Sequence, residues 1–292
     1  MITVTTPTGS IGHQVVDLLL DRGAPVRVVA RDPERLAAHV RERAQVVEGS
    51  HGDADVVAAA FDGADAVFWL VPPNPRAESV GTAYVDFTQP ACDALRARPV
   101  DRIVGISALG RGFAGNAGFV TASLKVDDLI ASTGVNYRAL TMPSFMDNLL
   151  RQVGVIKNRG VFFSPIAGDR KMPSCATRDI AAAATALLLD DSWSGVGSVP
   201  VLGPEDLSFD EMAATMSEVL GQPVRFQQLD GDAYKATLTG NGMSDAMAKG
   251  MLDMAMAKND GLDNAEPRTP EATTPTTFRQ WCEDVLKPAV QS

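Results

Sequence analysis

The sequence predicts an α/β fold, in which a Rossmann-type, doubly wound parallel sheet is followed by a smaller, mostly helical C-terminal part. Over the first 150 of the 292 residues, short apolar segments rich in β-branched residues alternate with segments of helical periodicity. This alternation is typical of a parallel sheet that helices cover on both faces. Residues 66–71 are apolar throughout, as expected of a strand that is buried on both sides.

Six strands and five helices are expected in this first half. The predicted strands are 2–5, 26–30, 45–48, 66–71, 102–107 and 137–142. The predicted helices are 11–19, 33–43, 55–61, 78–96 and 121–132. Proline lacks the amide hydrogen that a helix interior needs, so Pro90 is expected to kink or break the fourth helix.

The second half is less regular and predicts mainly helices. These cover residues 144–155, 179–189, 208–220, 244–258 and 277–285. The third begins with Ser208 and Glu211, whose spacing is that of a capping box. A Pro/Thr-rich link at 267–275 precedes the last helix.

Composition excludes several classes of protein. With 26 basic and 36 acidic residues, the net charge is −10, which disfavours binding to nucleic acid. No apolar run approaches the roughly 20 residues of a membrane span, and no export signal is visible. Three scattered cysteines predict neither a disulfide framework nor a metal site. We therefore expect a cytoplasmic protein, monomeric or homodimeric, without a membrane, metal or nucleic-acid partner.

The turn after the first strand, Thr5 to Gly12, occupies the position where Rossmann folds bind pyrophosphate. Gly9 allows the backbone to approach phosphates, and Gly12 allows the helix to pack on the strand. Thr6 replaces the usual first glycine. The sequence therefore predicts a phosphate site, with a tight turn that binds nothing as the alternative.

Arg31 follows the second strand, nineteen residues after Gly12. An acidic residue here would bind the ribose 2′-hydroxyl of NAD, whereas an arginine pairs with a 2′-phosphate. Arg35 lies one helical turn further on. The alternative is a surface arginine paired with Asp32 or Glu34. NADP(H) is therefore expected in preference to NAD(H).

Five further segments extend this pattern along the chain: VARDPER (29–35), LVPP (70–73), SALG (107–110), MPSFMDN (142–148) and TPTTF (274–278). Together with the N-terminal turn, they resemble the NmrA-like family of atypical short-chain dehydrogenases/reductases, which is related to the isoflavone-reductase-like enzymes. The resemblance covers essentially the whole chain. It implies an NAD(P)-binding Rossmann domain at 1–150, to which 174–203 returns, and a smaller substrate-binding part at 151–292.

The resemblance also implies which residues contact the cofactor. By position these are Thr6, Thr8, Gly9, Ser10, Ile11 and Gly12 for the pyrophosphate, Arg31 and Arg35 for the 2′-phosphate, Ser50 and His51 for adenine, Leu70, Val71 and Pro72 for the ribose, and Ser107, Ala108, Met142, Pro143 and Phe145 around the nicotinamide. Two departures stand out. Ser50 and His51 replace the Asp and apolar residue of the family, and Met142 replaces an Arg.

The usual proton donor of short-chain reductases is missing. Tyr84, Tyr137 and Tyr234 each lack a lysine four residues later, so there is no Tyr-x-x-x-Lys pair. Ser123 stands where isoflavone-reductase-like enzymes have a lysine. The remaining catalytic candidates are Ser107, Tyr84 and Lys125.

Each of these candidates has a plainer interpretation. Lys125 suits a solvated helix position, paired with Asp127 or Asp128. Tyr137 precedes an apolar strand, which favours a core position. His51 suits an adenine contact or the surface of a loop.

Methionines in the C-terminal part suggest where a substrate binds. Met243, Met247 and Met251 follow a spacing of four residues, and methionine adapts to bulky apolar ligands. An ordinary helix packed on the core is the alternative. We expect Phe145, Met146 and Asn148 to contact the same substrate.

Hydride transfer needs no protein acid when the electrophile accepts hydride without prior protonation. We therefore expect an NADPH-dependent oxidoreductase that acts on an apolar ketone, imine, iminium ion or quinone-like small molecule. A non-catalytic NADP(H)-binding redox-sensing regulator and a cyclase or isomerase on the same fold are the alternatives.

Overall fold

The computed structural model describes all 292 residues. The strands are β1 Ile2–Thr5, β2 Val26–Ala30, β3 Gln45–Glu48, β4 Ala66–Trp69, β5 Arg102–Ala108, β6 Asn136–Met142, β7 Ser144–Phe145, β8 Val161–Ser164, β9 Met172–Cys175, β10 Val196–Pro200, β11 Asp206–Leu207 and β12 Arg225–Gln228. The α-helices are α1 Gly12–Asp21, α2 Ala38–Arg43, α3 Ala54–Phe61, α4 Phe87–Ala97, α5 Phe119–Ala131, α6 Val153–Arg159, α7 Thr177–Leu189, α8 Phe209–Leu220, α9 Gly231–Gly240, α10 Asp245–Asn259, α11 Phe278–Trp281 and α12 Lys287–Gln291.

Seven strands form one sheet in the order β10-β6-β5-β4-β1-β2-β3, and every neighbouring pair is parallel. The chain starts in the interior of the sheet and winds outward in both directions, which confirms the predicted Rossmann-type fold. Strands β1, β2 and β3 begin and end at the predicted residues. The strand predicted at 66–71 ends earlier, at Trp69.

The sheet separates two apolar layers. On one face, Val4, Val28 and Phe68 pack against helices α1 and α7. On the other, Val67 and Trp69 pack against helices α3, α4 and α5. Alternate residues of one strand thus enter opposite cores, as strands covered on both sides require.

Two of the predicted helices are interrupted in the structure. The helix at 33–43 is divided into a 3₁₀ turn, Pro33–Arg35, and α2, because Leu36 and Ala37 are extended. The helix at 144–155 is replaced by β7 and a 3₁₀ segment, Met146–Gln152, before α6 begins. The local pattern missed both breaks; the second one contains β7, whose pairing with the distant β9 no local pattern shows.

Pro90, expected to kink or break its helix, does not break it, so that part of the prediction is wrong. A wider π-helical turn, Thr82–Asp86, precedes α4, which continues through Pro90. In a regular helix the residue at position 90 would donate an amide hydrogen to the Asp86 carbonyl. The wider turn ends at Asp86, whose carbonyl lacks this donor. The helix therefore accommodates the proline and continues without a break.

The second half contains strands that the sequence did not predict. Strand β10 extends the main sheet beside β6. Helix α7 packs beside α1, where Gln14 donates a hydrogen bond to the Thr177 hydroxyl over 3.1 Å. Two small sheets, β11-β9-β7 and β12-β8, belong to the C-terminal part.

The C-terminal tail is tied to the Rossmann layer by buried hydrogen bonds. Asp179 on α7 accepts from the amide and the hydroxyl of Thr276, at 3.1 and 2.8 Å. Leu202 donates to the Ala272 carbonyl and accepts from the Thr274 amide, each over 2.7 Å. The Pro/Thr-rich link thus runs along the body of the protein as an ordered strap.

The remaining sequence expectations concern membranes and cysteines. No helix has the length and apolar character needed to cross a membrane. All three cysteines, Cys92, Cys175 and Cys282, are buried free thiols.

Helix α10 packs on the carboxyl edge of the sheet through a backbone contact between two glycines. Gly118, the residue before α5, has a φ of +54°, and a Cβ there would overlap the Gly250 carbonyl. At the start of α10, the Ser244 hydroxyl donates to the Ala77 carbonyl over 2.7 Å. These contacts hold α10 against both α5 and the segment after β4.

We expect Gly118→Ala to lower the free energy of unfolding by about 3 kcal/mol, since it adds a backbone clash to a left-handed conformation. Gly134→Ala is the matched control. Gly134 also has a positive φ, +84°, but nothing lies within 4 Å of its Cβ position. We expect the free energy of unfolding of this control to fall by only about 1 kcal/mol. Urea unfolding of both variants measures the difference, and equal losses would show that the Gly118–Gly250 contact contributes nothing.

Candidate functional site

The predicted cofactor residues meet at one edge of the sheet. Because the strands are parallel, the segments that follow β1, β2, β4, β5 and β6 all leave the sheet at its carboxyl edge. Ligands of open α/β sheets bind at this edge. The structure thus brings together segments that are separated by more than a hundred residues in the sequence.

The turn after β1 has the backbone of a phosphate-binding loop. Thr6 has a φ of +52° and is the only residue other than glycine with a positive φ. This is the conformation for which the usual first glycine is suited. A β-branched residue in the left-handed region is strained, by about 1–3 kcal/mol.

Gly12 brings α1 into contact with this turn. A Cβ at Gly12 would overlap the Thr6 carbonyl oxygen, so no other residue fits here without movement. The amide groups of Ser10, Ile11 and Gly12 donate to no other group of the protein. Free amides at the start of a helix form an anion-binding site.

The Thr6 hydroxyl is also without a partner. Its oxygen is buried and makes no hydrogen bond. A buried hydroxyl without a partner is costly unless a ligand supplies one. Free amides, the positive end of the α1 dipole and this hydroxyl together fit the diphosphate of a dinucleotide.

Arg31 and Arg35 follow β2, and both are exposed. Neither side chain forms an ion pair or a hydrogen bond. The Asp32 side chain instead accepts from the Glu34 amide, and Glu34 lies 4.0 Å from Arg41. The alternative of a pairing between Arg31 and Asp32 or Glu34 is therefore wrong, and both guanidinium groups remain available to a ligand.

His51 is buried, so the alternative of a loop-surface histidine is wrong. Its Nε2 lies 3.0 Å from the Leu70 carbonyl oxygen, and its ring contacts Trp69 and Phe87 edge to face. Burial is the main reason that the pKa of His51 is lowered to about 4; the hydrogen bond to Leu70 opposes this shift, and the positive charge of Arg31 adds to it. The neutral ring therefore donates to Leu70 and holds the end of β4, from which Leu70, Val71 and Pro72 continue half-buried along the edge.

An apolar cluster lies between this loop and α10. Met247 is buried with Ala77 and Ala83, and Met243 packs against them. Tyr84 stacks on Phe119 with ring centres 5.8 Å apart. Burial raises the pKa of Tyr84, whose hydroxyl has no hydrogen-bond partner within the protein. Met243 precedes α10 instead of lying on it, and Met251 is half-buried.

The segment after β6 faces both parts of the protein. Met142 and Pro143 are buried at the end of the strand, and Phe145 pairs with Cys175 in β9. Asn148 is exposed, whereas Met146 packs within the C-terminal core. Met146 therefore does not face open space.

Ser107, at the end of β5, belongs to a buried hydrogen-bond network. Its hydroxyl lies 2.5 Å from Asp127 Oδ2, and the Tyr137 hydroxyl donates to Asp127 Oδ1 over 2.6 Å. Burial raises the pKa of the Asp127 carboxyl, while the two hydroxyl hydrogen bonds and Arg111 lower it. Burial likewise raises the pKa of Tyr137. Tyr137 lies in the core, as expected of its strand position.

Lys125 is exposed on α5 and forms no ion pair. The predicted pairing of Lys125 with Asp127 or Asp128 is wrong, because both carboxylates face Arg111. Sequence reasoning missed Asp127 as a partner of Ser107. The two are twenty residues apart, and no local motif joins them.

Two described protein families match overlapping parts of the chain. Residues 7–191 match a family described as NAD(P)H-binding, and residues 120–282 match the NmrA-like family. The (4-alkanoyl-5-oxo-2,5-dihydrofuran-3-yl)methyl phosphate reductase of Streptomyces griseus is 32% identical over 241 residues, which cover 82% of this chain and 80% of that protein. The NAD(P)H azoreductase of Xenophilus azovorans is 28% identical over 281 residues, which cover 94% of this chain and 93% of the relative.

Solved structures share the fold. The NADPH-dependent quinone oxidoreductase of Escherichia coli, solved in complex with NADPH, superposes with a TM-score of 0.79. It is 23% identical and covers 100% of this chain and 99% of its own. The two curated relatives are reductases, and both family models extend over more than half of the chain. The protein therefore belongs to the NmrA-like family of NAD(P)H-binding proteins.

Proposed function

We propose that this protein is an NADPH-dependent reductase that transfers hydride to an apolar ketone, imine, iminium ion or quinone-like small molecule. The observation that carries the proposal is the pair of unpaired arginines, Arg31 and Arg35, beside a turn with free amide donors. A 2′-phosphate supplies the missing partner of Arg31, because guanidinium groups bind phosphate in a bidentate manner.

Each part of the edge has a role in this function. The amides of Ser10, Ile11 and Gly12 hold the diphosphate, and the Leu70–Pro72 segment supports the ribose. When bound, the reduced nicotinamide supplies the hydride. Ala108 and Met142 limit the position of that ring, so the electrophilic carbon is held against it.

The apolar cluster around Tyr84 favours an apolar, flat substrate. Tyr84, Phe119 and Met243 present aromatic and thioether groups, which adapt to conjugated rings. The names of two relatives, an azoreductase and a quinone oxidoreductase, support a conjugated acceptor, whereas the substrate named for a third carries a phosphate.

The test is NADPH oxidation by the purified protein with a panel of quinones, imines and ketones. Turnover with at least one acceptor, and a preference for NADPH over NADH, is the expected result. Tight NADPH binding without turnover across the panel would contradict the proposal and favour the regulator instead.

We expect Arg31→Ala to weaken NADPH binding by about 10- to 100-fold, as lost charge-assisted hydrogen bonds do, and to leave NADH binding unchanged. Isothermal titration with each dinucleotide measures this. Arg22→Ala is the matched control, because Arg22 is equally exposed but follows α1, at the opposite edge of the sheet. A parallel loss for NADPH and NADH would contradict the assignment of Arg31 to the 2′-phosphate.

We expect Thr6→Val to weaken NADPH binding by about tenfold without lowering the melting temperature of the free protein. Valine keeps the shape and the backbone strain of Thr6 but removes the hydroxyl, which has no partner to lose. Thr6→Ser retains the hydroxyl and is expected to bind NADPH as the wild type does. Unchanged binding by Thr6→Val would mean that the hydroxyl does not contact the cofactor.

A further inference from the structure

Ser107, Asp127 and Tyr137 form a buried hydrogen-bond network in a chain that lacks the Tyr-x-x-x-Lys pair of short-chain reductases. All three side chains are at most 5% exposed. Both carboxyl oxygens of Asp127 are engaged, one by each hydroxyl. A buried carboxyl with two short hydrogen bonds has more than one possible protonation state, and its two hydroxyl partners stabilise the charged one.

The network runs inward from the cofactor edge. The last pair between β4 and β5 joins Trp69 to Gly105, so Ser107 lies two residues beyond it, at the carboxyl edge. The Tyr137 hydroxyl lies over Gly105, where a Cβ would overlap it. Gly105 thus provides the space through which Tyr137 reaches Asp127, while Ser107 remains at the edge.

The charges that face this network come from four elements. The loop after β5 brings Arg111, whose Nη2 lies 3.6 Å from Asp127 Oδ2 and whose side chain is 60% exposed. Asp128 follows on the same helix, and Tyr137 faces the carboxyl from β6. Helix α4 contributes the Cys92 thiol, whose pKa burial raises to about 11. One cation therefore faces Asp127, on the side where solvent reaches.

We infer that Ser107 is the proton donor of this reductase and that Asp127 resupplies its proton. This rests on the proposed function. When Asp127 is protonated, its carboxyl donates to the Ser107 oxygen over the same 2.5 Å contact. The Ser107 hydroxyl is then free to donate its own proton into the site. Ser107 is then the catalytic residue, and Asp127 acts through it.

The proton and electron balance is complete. As hydride bonds to the carbon of a ketone or imine, the C=O or C=N π pair moves to the heteroatom, which takes the Ser107 hydroxyl proton. The Ser107 oxygen takes the carboxyl proton of Asp127. The carboxylate that remains accepts from Tyr137 and faces Arg111, and water on that exposed side restores the proton.

Asp127→Asn tests the donor, because asparagine keeps the size of Asp127, accepts from Tyr137 and donates to the Ser107 oxygen, but holds no transferable proton. With a ketone or imine from the acceptor panel, we expect kcat to fall by about 100-fold, as for loss of a general acid, and KM to change by less than about threefold. We also expect the wild type to lose activity as the pH rises and Asp127 loses its proton, and Asp127→Asn to lack this pH dependence. Asp128→Asn, the same change at an exposed neighbour, is the control and is expected to stay within about twofold.

Tyr137→Phe provides a second measurement. If Tyr137 were only structural, its removal would not shift the pH profile in a particular direction. The Tyr137 hydrogen bond lowers the pKa of Asp127 because it stabilises the carboxylate. Its removal keeps Asp127 protonated to higher pH. We therefore expect the alkaline limb of the pH profile to move to higher pH.

Three outcomes would overturn the inference. A wild-type pH profile in Asp127→Asn would mean that the network only joins α5 to the sheet. If that variant fails to fold, an unmoved alkaline limb in Tyr137→Phe leads to the same conclusion. Binding of NADPH without any turnover by the wild type overturns the proposed function together with the donor, so the two failures are distinguishable.

Discussion

The close approach of Gly12 to the Thr6 carbonyl is the contact on which the arrangement of the site depends. It seats the start of α1 against the end of β1, at the interior of the sheet. The free amides and the positive end of the helix dipole therefore face the carboxyl edge. Thr6 itself lies in the left-handed region, with a φ of +52°, and its hydroxyl is buried without a partner. Backbone strain and an unpaired hydroxyl thus occur together at Thr6. An anionic ligand at this position would accept the hydrogen bond of that hydroxyl.

The C-terminal part closes over this edge through backbone contacts. Gly118 and Gly250 allow α5 and α10 to touch without side chains between them, and Ser244 fastens the start of α10 to the segment after β4. The apolar residues around Tyr84 are thereby enclosed on two sides. A binding site between a sheet edge and a smaller helical layer is the usual location for small-molecule ligands.

The site lacks the lysine of the Tyr-x-x-x-Lys pair, so its chemistry depends on other polar groups near the sheet edge. Without a cation beside a catalytic tyrosine, a neutral His51 and a hydrogen-bonded Asp127 dominate the polar groups next to the edge. His51 stabilises the end of β4, and Asp127 engages the hydroxyl at the end of β5. The edge next to Ser107 thus combines hydrogen-bonded polar groups with apolar walls, while the charged Arg31 and Arg35 lie exposed after β2.

Local sequence patterns determined the alternating strands and helices, the phosphate turn and the position of Arg31, because periodicity, glycine spacing and strand ends are properties of neighbouring residues. They did not determine the partners of buried polar groups. Asp127 meets Ser107 and Tyr137, and His51 meets Leu70, across distances of ten to twenty residues, which only the packing of α5 and β4 decides. Strands β7 to β12 and the uninterrupted helix at Pro90 were likewise decided by tertiary structure. Short strands and wide helical turns are stabilised by the elements that pack against them, and a local sequence pattern contains no information about those elements.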